Sequence, residues 1–225
     1  GYMMAINQDS YMNSTGTLNN GNVDITLYMQ ESQAPAPEAL YNKGWNLVGN
    51  PYQAYLDLDK VGAGTYYIYD AESGVYVPYA VQGSGNPVTP SRYIHPHQGF
   101  FMHTNTDGAT FTFGTSMATT KTDNGSYFRG DDRINYPLVN LFATNESGNT
   151  DLAIVEFNRP EIGGATKVSF MNTANFSIAA HLNGEGYGLL FTPEGTEKVP
   201  VHFKAQEDGT YTLTWSTYNG DFSSL

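Results

Sequence analysis

The sequence predicts an all-β protein made of two antiparallel, β-sandwich-like domains in tandem. Hydrophobic and polar residues alternate with a period of two in several short runs, among them residues 23–29 and 211–215, and this alternation is typical of strands with one buried face. No segment carries apolar residues at helical spacing over three turns, so long amphipathic helices are not expected. The 24 Gly and 11 Pro residues supply the turns that many short strands require. Short strands joined by such turns favour antiparallel sandwiches.

A polar segment separates the two predicted domains. Residues 119–135 (TTKTDNGSYFRGDDRIN) are rich in turn-forming residues and nearly free of aliphatic side chains, as expected of a linker. We therefore predict a first β domain over residues 1–118, a linker over residues 119–135, and a second β-sandwich domain over residues 136–225. The chain opens inside a strand-like pattern, and we interpret it as a fragment.

The composition limits the classes of partner. Only 14% of the residues are charged, against roughly 25% in a typical soluble domain, so uncharged polar side chains must form much of the surface. The formal net charge of −12 repels phosphate backbones and anionic membranes, and we predict no nucleic-acid partner. The absence of Cys excludes disulfides, thiol catalysis and Cys-type zinc sites. No run approaches the ~20 apolar residues of a membrane-spanning helix, and we predict no cofactor and no metal site.

Two motifs go beyond a generic strand pattern. They are residues 44–59 (GWNLVGNPYQAYLDLD) and residues 97–102 (HQGFFM). Trp45 and Leu47 require burial, and Gly49-Asn50-Pro51 predicts a tight exit from the strand, since Pro fixes φ and donates no hydrogen bond. Together the motifs resemble the GWNL-GNPY and QGFF signatures of adhesin-like surface proteins secreted by Bacteroidetes. The resemblance implies an extracellular or cell-surface location and a non-enzymatic adhesin-like or surface-structural module.

The second half of the chain adds to this resemblance. Residues 151–157 (DLAIVEF) and 199–203 (VPVHF) look like the domain that follows the two motifs in those proteins. A further hairpin, and often a sorting tail, comes next in that family, so the resemblance implies a second domain truncated at its C-terminus. Residues 210–217 (TYTLTWST) carry no charge and no Pro, the usual protection of an edge strand. We expect this edge to pair with another copy of the chain, or else the segment near Leu225 to be frayed.

Aromatic residues around one predicted hairpin are the candidate ligand site. Tyr67 and Tyr69 share one face of a strand by parity, and Tyr76 lies across the turn. Tyrosine rings offer flat apolar faces with a hydroxyl rim, which suit stacking on sugars. The alternative function is therefore a carbohydrate-binding module of a glycan-utilisation system. Cross-strand aromatic packing within the sheet explains the same pattern without a ligand.

Two carboxylate pairs are candidate catalytic groups. Asp57 with Asp59, and Asp70 with Glu72, have the residue types that a glycosidase needs on either side of the scissile bond. Pairs two residues apart on one strand form no cleft by themselves, and Asp70 and Glu72 fit a hairpin turn. A glycosidase fragment that uses Asp57 or Asp70 is the third hypothesis. We predict that the protein is not an enzyme.

The histidines and a calcium-like loop are candidate metal ligands. His95, His97 and His103 share strand parity, and such spacing can hold Zn²⁺ or Cu²⁺. Pro96 disrupts the strand, and no further ligand completes a set, so we predict partly exposed polar residues on an edge. His181 and His202 are predicted to be solvated. Oxygen-bearing residues 145–151 (NESGNTD) lack EF-hand spacing and favour a hairpin turn.

Residues Arg129, Gly130 and Asp131 spell the RGD cell-attachment tripeptide in the predicted linker. A tripeptide of this kind arises by chance in a few chains per hundred of this length, roughly. We predict that it only solvates the linker and that cell attachment does not depend on it.

The motifs also predict the cores. Trp45, Leu47, Phe100 and Phe101 are expected in the core of the first domain, with the two phenylalanines facing different layers because their parities are opposite. The core of the second domain is expected to contain Leu152 or Val155, Phe170, Ile178, Phe191, Phe203, Leu213 and Trp215.

Overall fold

The computed structural model describes residues 15–29, 43–62, 64–70, 74–80, 92–120, 136–168 and 175–222. These residues form sixteen strands, one short α-helix and one 3-10 helix, so the predicted all-β class is confirmed. No helix within the described ranges is long and apolar enough to span a bilayer.

The first half of the chain forms three small sheets. One, called the central sheet here, has the strand order β2-β7-β4-β5; the others pair β1 with β8 and order three strands as β6-β3-β9. The bounds are β1 (Val23–Leu27), β2 (Trp45–Gly49), β3 (Tyr55–Asp57), α1 (Leu58–Val61), β4 (Thr65–Asp70), β5 (Val75–Ala80), β6 (Tyr93–Ile94), β7 (Gly99–His103), β8 (Ala109–Phe113), a 3-10 turn (Thr115–Met117) and β9 (Ala118–Thr119).

The second half forms one sheet, called the large sheet here. Its strand order is β15-β13-β14-β11-β10-β16, and β12 also pairs with β14. All of its pairings are antiparallel except the parallel pairing of β11 with β14. The bounds are β10 (Leu138–Asn145), β11 (Thr150–Glu156), β12 (Gly163–Thr166), β13 (Phe176–Leu182), β14 (Glu185–Phe191), β15 (Val201–Ala205) and β16 (Tyr211–Tyr218).

The two sequence motifs are partners in the central sheet. Strand β2 carries the WNLVG residues and pairs antiparallel with β7, which carries the GFFMH residues, with Leu47 opposite Phe101. Gly44, before β2, has φ of +76°, and a Cβ there would collide with the carbonyl oxygen of Thr104. Only glycine combines this left-handed conformation with such a close backbone approach. The first residue of the GWNL motif is thus explained by local geometry.

The GNP turn is organised by the side chain of Asn50, which is 6% exposed. Its Nδ2 donates to the carbonyl oxygens of Ala54 (2.9 Å) and Ile94 (3.1 Å), and its Oδ1 accepts from the Tyr52 N–H. The buried amide thus satisfies backbone groups of the turn that water would otherwise have to bond. It therefore joins the exit of β2 to the end of β6.

The central sheet is buried on both faces. On one face Phe101 packs with Trp45 and Tyr67, and on the other Phe100 packs with Tyr66 and residues of the two smaller sheets. The prediction that the adjacent phenylalanines face different layers is confirmed. Because side chains on both faces of these strands are buried, even-numbered and odd-numbered positions are both apolar. The GWNL and QGFF segments therefore show little alternation.

The face that carries Trp45 packs against the large sheet. Its core cluster includes Leu152 and Ile154 of β11 and Leu189 of β14. The Trp45 Nε1–H donates to Thr166 Oγ1 at 3.1 Å, and the Tyr67 hydroxyl donates to the Thr166 carbonyl oxygen at 3.1 Å. The core expected for the first domain alone is therefore shared by both halves of the chain.

A glycine in β14 makes this close contact possible. A Cβ on Gly188 would collide with the hydroxyl of Tyr67. The hydroxyl end of Tyr67 can therefore approach the backbone of β14 only because residue 188 has no side chain. Residues 121–135, most of the predicted linker, lie outside the described residues, so the boundary there stays a prediction.

The predicted second core is partly right. Leu152, Val155, Ile178 and Phe191 are buried, whereas Phe170 lies outside the described residues. The prediction is wrong for three residues of β15 and β16, which are exposed: Phe203 (37%), Leu213 (52%) and Trp215 (67%). These residues lie on the outermost strands of the large sheet, where the register places them opposite residues of β13 and β10.

A buried ion pair holds three segments of the second half together. Lys167, 2% exposed, follows β12, and its Nζ donates to Asp151 Oδ1 (2.7 Å) and to the Leu152 carbonyl oxygen (2.6 Å). The second carboxylate oxygen, Asp151 Oδ2, accepts from the Ile178 N–H of β13 at 2.8 Å. Hydrogen bonds within the protein thus replace the water that both charged groups lose on burial.

Replacing Trp45 by Ala should lower the free energy of unfolding by about 3–5 kcal/mol, because the change leaves a cavity in the shared core. Thermal unfolding of the variant measures this. The matched control is Trp215→Ala, which removes an indole that is 67% exposed and should cost far less. A Trp45→Ala midpoint equal to that of the parent chain would mean that the motif is a surface recognition element.

Replacing Lys167 by Met should cost about 3–5 kcal/mol, since it strands the Asp151 carboxylate in the interior. Denaturant unfolding measures the loss. The exposed Lys198, changed to Met, is the control and should alter stability by only about 0.5 kcal/mol or less. Adding Asp151→Asn to Lys167→Met should recover part of the loss, because the amide oxygen still accepts from Ile178. Equal stability of Lys167→Met and Lys198→Met would contradict the role of the pair.

Candidate functional site

Four exposed hydrophobic side chains lie on the two outermost strands of the large sheet. They are Val201 (41% exposed) and Phe203 (37%) on β15, and Leu213 (52%) and Trp215 (67%) on β16. We call these four residues the apolar edge surface. Side chains of this size are seldom grouped on a free surface without a partner.

The strand register explains why these residues are apolar. Phe203 lies opposite Ile178 of β13, a core residue. Leu213 lies opposite the fully buried Ala143, and Trp215 opposite Leu141, which packs on the same core. All of these side chains therefore lie on the core-facing side of the sheet.

Aromatic contacts connect the two strands. The rings of Phe203 and Tyr211 are 5.0 Å apart, and both contact Phe176, at 6.0 and 5.2 Å. Tyr211 precedes Leu213 and Trp215 on the same face of β16, because side chains repeat every second residue. The apolar edge surface is thus a continuous row that starts on β15 and follows β16.

The chemistry of this row is that of a contact surface. The four side chains of the apolar edge surface offer apolar area but no nucleophile, acid or metal ligand. On the other face of β16, Thr212 and Thr214 are exposed hydroxyl-bearing residues. Such a strip can cover apolar residues of another polypeptide, and the indole of Trp215 can stack on a flat ring.

The predicted tyrosine platform is not formed. Tyr67 (1% exposed) and Tyr76 (8%) are buried, and only Tyr69 (36%) reaches the surface. Burial raises the pKa of Tyr76 to about 12 and raises that of Tyr67 further. The prediction is wrong for two of its three residues because the central sheet is covered on both faces. Tyr76 instead packs edge-on against Phe101, with ring centroids 5.5 Å apart.

The candidate catalytic carboxylates Asp57 and Asp59 have structural partners. Asp57 caps α1 by accepting from the Asp59 N–H at 3.2 Å. Arg92 donates to Asp57 at 3.4 Å and to Asp59 at 3.3 Å, and the Tyr79 hydroxyl donates to Asp59 at 2.5 Å. Burial raises the pKa of Asp57, while the nearby Arg92 opposes that shift. The two carboxylates share one guanidinium and leave no free pair aimed at a substrate.

Asp70 lies at a hairpin end, as predicted. It pairs with Val75 across β4 and β5, and its carbonyl oxygen accepts from the Gly74 N–H at 2.8 Å. Glu72 lies outside the described residues. The same is true of Arg129, Gly130 and Asp131, so the RGD hypothesis stays a prediction.

The three histidines of the possible metal site have separate surroundings. His103 bonds the Lys43 carbonyl oxygen through Nε2 at 3.1 Å and packs on Trp45, whereas His95 packs on Tyr55. His97 occupies a turn with φ of +66°. Within the described ranges, no three residues of the types His, Cys, Asp or Glu are placed to hold a metal ion.

The calcium-like loop forms a hairpin turn between β10 and β11. Asn145 accepts from the Asn149 N–H through its side chain (2.9 Å) and from the Gly148 N–H through its carbonyl oxygen (3.0 Å). Asp151, the only carboxylate at the end of the loop, is bound to Lys167. These bonds agree with the prediction that residues 145–151 form a hairpin turn.

One contact was missed from the sequence. His181 of β13 and His202 of β15 stack with ring centroids 3.5 Å apart and planes at 22°. They were predicted to be solvated, and this is wrong for His181, which is half-buried. Burial lowers the pKa of His181, and the neighbouring His202 lowers it as well. The signal was available only from the strand register, which places residue 202 opposite Ala179 and next to His181.

This stack predicts lower stability in mild acid. Because the pKa of His181 is lower in the folded chain than in the unfolded chain, the unfolded chain binds the proton more readily. The contribution of His181 to stability is fully present above the pKa of about 6.5 that a histidine has in an unfolded chain. It is lost as the pH falls through that pKa toward the lower pKa of His181 in the folded chain. Urea unfolding of the parent chain and of His181→Gln, above and below this range, measures the difference. An equal loss in both proteins would contradict the prediction, since the carboxylates are common to both.

The geometry above is the basis for any functional assignment. No family model, curated protein or solved structure matches this chain. The resemblance of its motifs to secreted adhesin-like proteins therefore remains an expectation from the sequence.

Proposed function

We propose that this chain is a non-enzymatic, extracellular adhesin-like or surface-structural module that works through contact with other macromolecules. The observation that carries the proposal is the apolar edge surface. It combines four exposed hydrophobic side chains with an outermost strand whose backbone can accept a further strand.

The electrostatics of the chain support a weakly charged partner. The net charge is −12, yet Tyr211–Tyr218 contains no ionisable side chain other than tyrosine. A partner is therefore selected by apolar area and backbone pairing, with the general field of the protein excluding strongly acidic surfaces. The resemblance of the GWNL and QGFF motifs to secreted adhesin-like proteins favours a location outside the cell.

A carbohydrate ligand is the second candidate, and its platform would be Trp215 rather than the predicted tyrosines. The indole is 67% exposed, and the exposed Thr217 lies on the same face of β16, where its hydroxyl can bond to a sugar hydroxyl. A glycosidase is the weakest candidate because Arg92 occupies both carboxylates of its first proposed pair.

A binding screen against host glycans and matrix proteins, run beside a hydrolase screen, tests the proposal. Trp215→Ser should weaken binding about tenfold or more, as expected for an aromatic anchor. Ile162→Ser is the matched control, because Ile162 is similarly exposed at 60% but lies outside the edge strands. Equal effects of the two substitutions would contradict a role for the apolar edge surface.

The remaining arms of this screen test the other hypotheses. Arg129→Ala and Asp131→Ala should leave cell attachment unchanged. Turnover of a glycan that disappears in Asp57→Asn or Asp70→Asn, with thermal stability retained, would overturn the non-enzymatic proposal. Binding to glycans alone, lost in Trp215→Ser, would replace the adhesin-like reading by the carbohydrate-binding one.

A further inference from the structure

The free edges of the large sheet are protected unequally. Strand β15 has His202 and Lys204 on one face and follows Pro200, and both charge and proline discourage strand addition. Strand β16 has neither: its eight residues are YTLTWSTY, and among the described residues only β10 pairs with it, on one side. The side of β16 away from β10 is therefore the unprotected edge.

The sequence of β16 is complementary to itself. In an antiparallel pair centred on Thr214, Leu213 of one copy lies opposite Trp215 of the other, and Thr212 lies opposite Ser216. The exposed apolar side chains meet on one face, and the hydroxyl-bearing side chains meet on the other. Cross-strand pairs of like chemistry are the unit of sheet stabilisation.

We propose that β16 pairs antiparallel with β16 of a second copy of this chain, about a two-fold axis at Thr214. This joins two large sheets into one continuous sheet and covers Leu213 and Trp215, the more exposed half of the apolar edge surface. A two-fold contact uses the same edge on both copies, so it closes as a dimer and leaves no second β16 edge for further growth.

The charges of the chain predict how salt affects this dimer. The strand itself is uncharged, but each chain carries a net charge of −12, so the two copies repel each other at low ionic strength. Salt screens this repulsion. The dimer therefore becomes tighter as ionic strength rises, whereas association by ion pairing would weaken.

The central position gives a sharp test. A charged residue placed at position 214 would lie directly opposite the same residue of the second copy. Thr214 is exposed, so a long polar side chain can be placed there. Light scattering from low to high micromolar protein should show the parent chain approaching twice its mass of 24.6 kDa. Thr214→Lys and Thr214→Asp should each weaken dimerisation about tenfold or more, since like charges then lie directly opposite. An equimolar mixture of the two variants should restore the dimer, because the opposed charges now attract.

The control is Ile162→Lys, an equally drastic change at an exposed position outside the edge, which should leave dimerisation unaffected. Thermal unfolding confirms that each variant is folded. A parent chain that stays monomeric at high micromolar concentration and high salt overturns the proposal. So does a dimer that withstands Thr214→Lys, or variants that stay apart when mixed. This inference rests on the β16 edge that the proposed function also uses, so a ligand found in the binding screen should compete with dimerisation. A screen that finds no ligand would count against the proposed function and leave the dimer measurement unaffected.

Discussion

The central sheet must be buried on both faces, and the rest of the architecture depends on this constraint. Phe101 and Trp45 on one face require cover, which β11 and β14 of the large sheet provide. Phe100 and Tyr66 on the other face require a second cover, which the two smaller sheets provide. The result is a stack of layers in which the GWNL and QGFF segments occupy the middle, and contacts with Thr166 align the stack.

Much of this could be predicted from the sequence, since alternation and turn residues are local signals. The strands follow from periods of two and from apolar runs, and the opposite facing of Phe100 and Phe101 follows from their adjacent positions. The pairing of β2 with β7 was not predicted, because alternation does not say which strands are neighbours. The shared core could not be predicted, because nothing local distinguishes a Trp45 that packs within its own domain from one that packs on Thr166. The same limit explains the tyrosine platform: parity places Tyr67 and Tyr69 on one face but does not say how far a neighbouring layer extends over it.

The errors at β15 and β16 have a different origin. Phe203, Leu213 and Trp215 were assigned to the core because they alternate with polar residues, and they do point to the core side. Periodicity reports the direction of a side chain, whereas burial also requires something above it. An exposed apolar side chain on the core-facing side of an outermost strand therefore points to a binding surface more strongly than one on the polar side does. This is why the candidate site lies where the core prediction failed.

The position of β10 between β16 and β11 has a consequence for the energetics of the whole chain. Strand β10 is hydrogen-bonded to the edge strand on one side and to β11, a wall of the shared core, on the other. By thermodynamic linkage, any molecule that binds only the folded β16 edge stabilises the folded chain, and the stabilisation grows with the logarithm of the ligand concentration once that exceeds the dissociation constant. The shared core passes that stabilisation to the GWNL and QGFF strands, so hydrogen exchange at Trp45 would report occupancy of an edge to which it is not directly bonded.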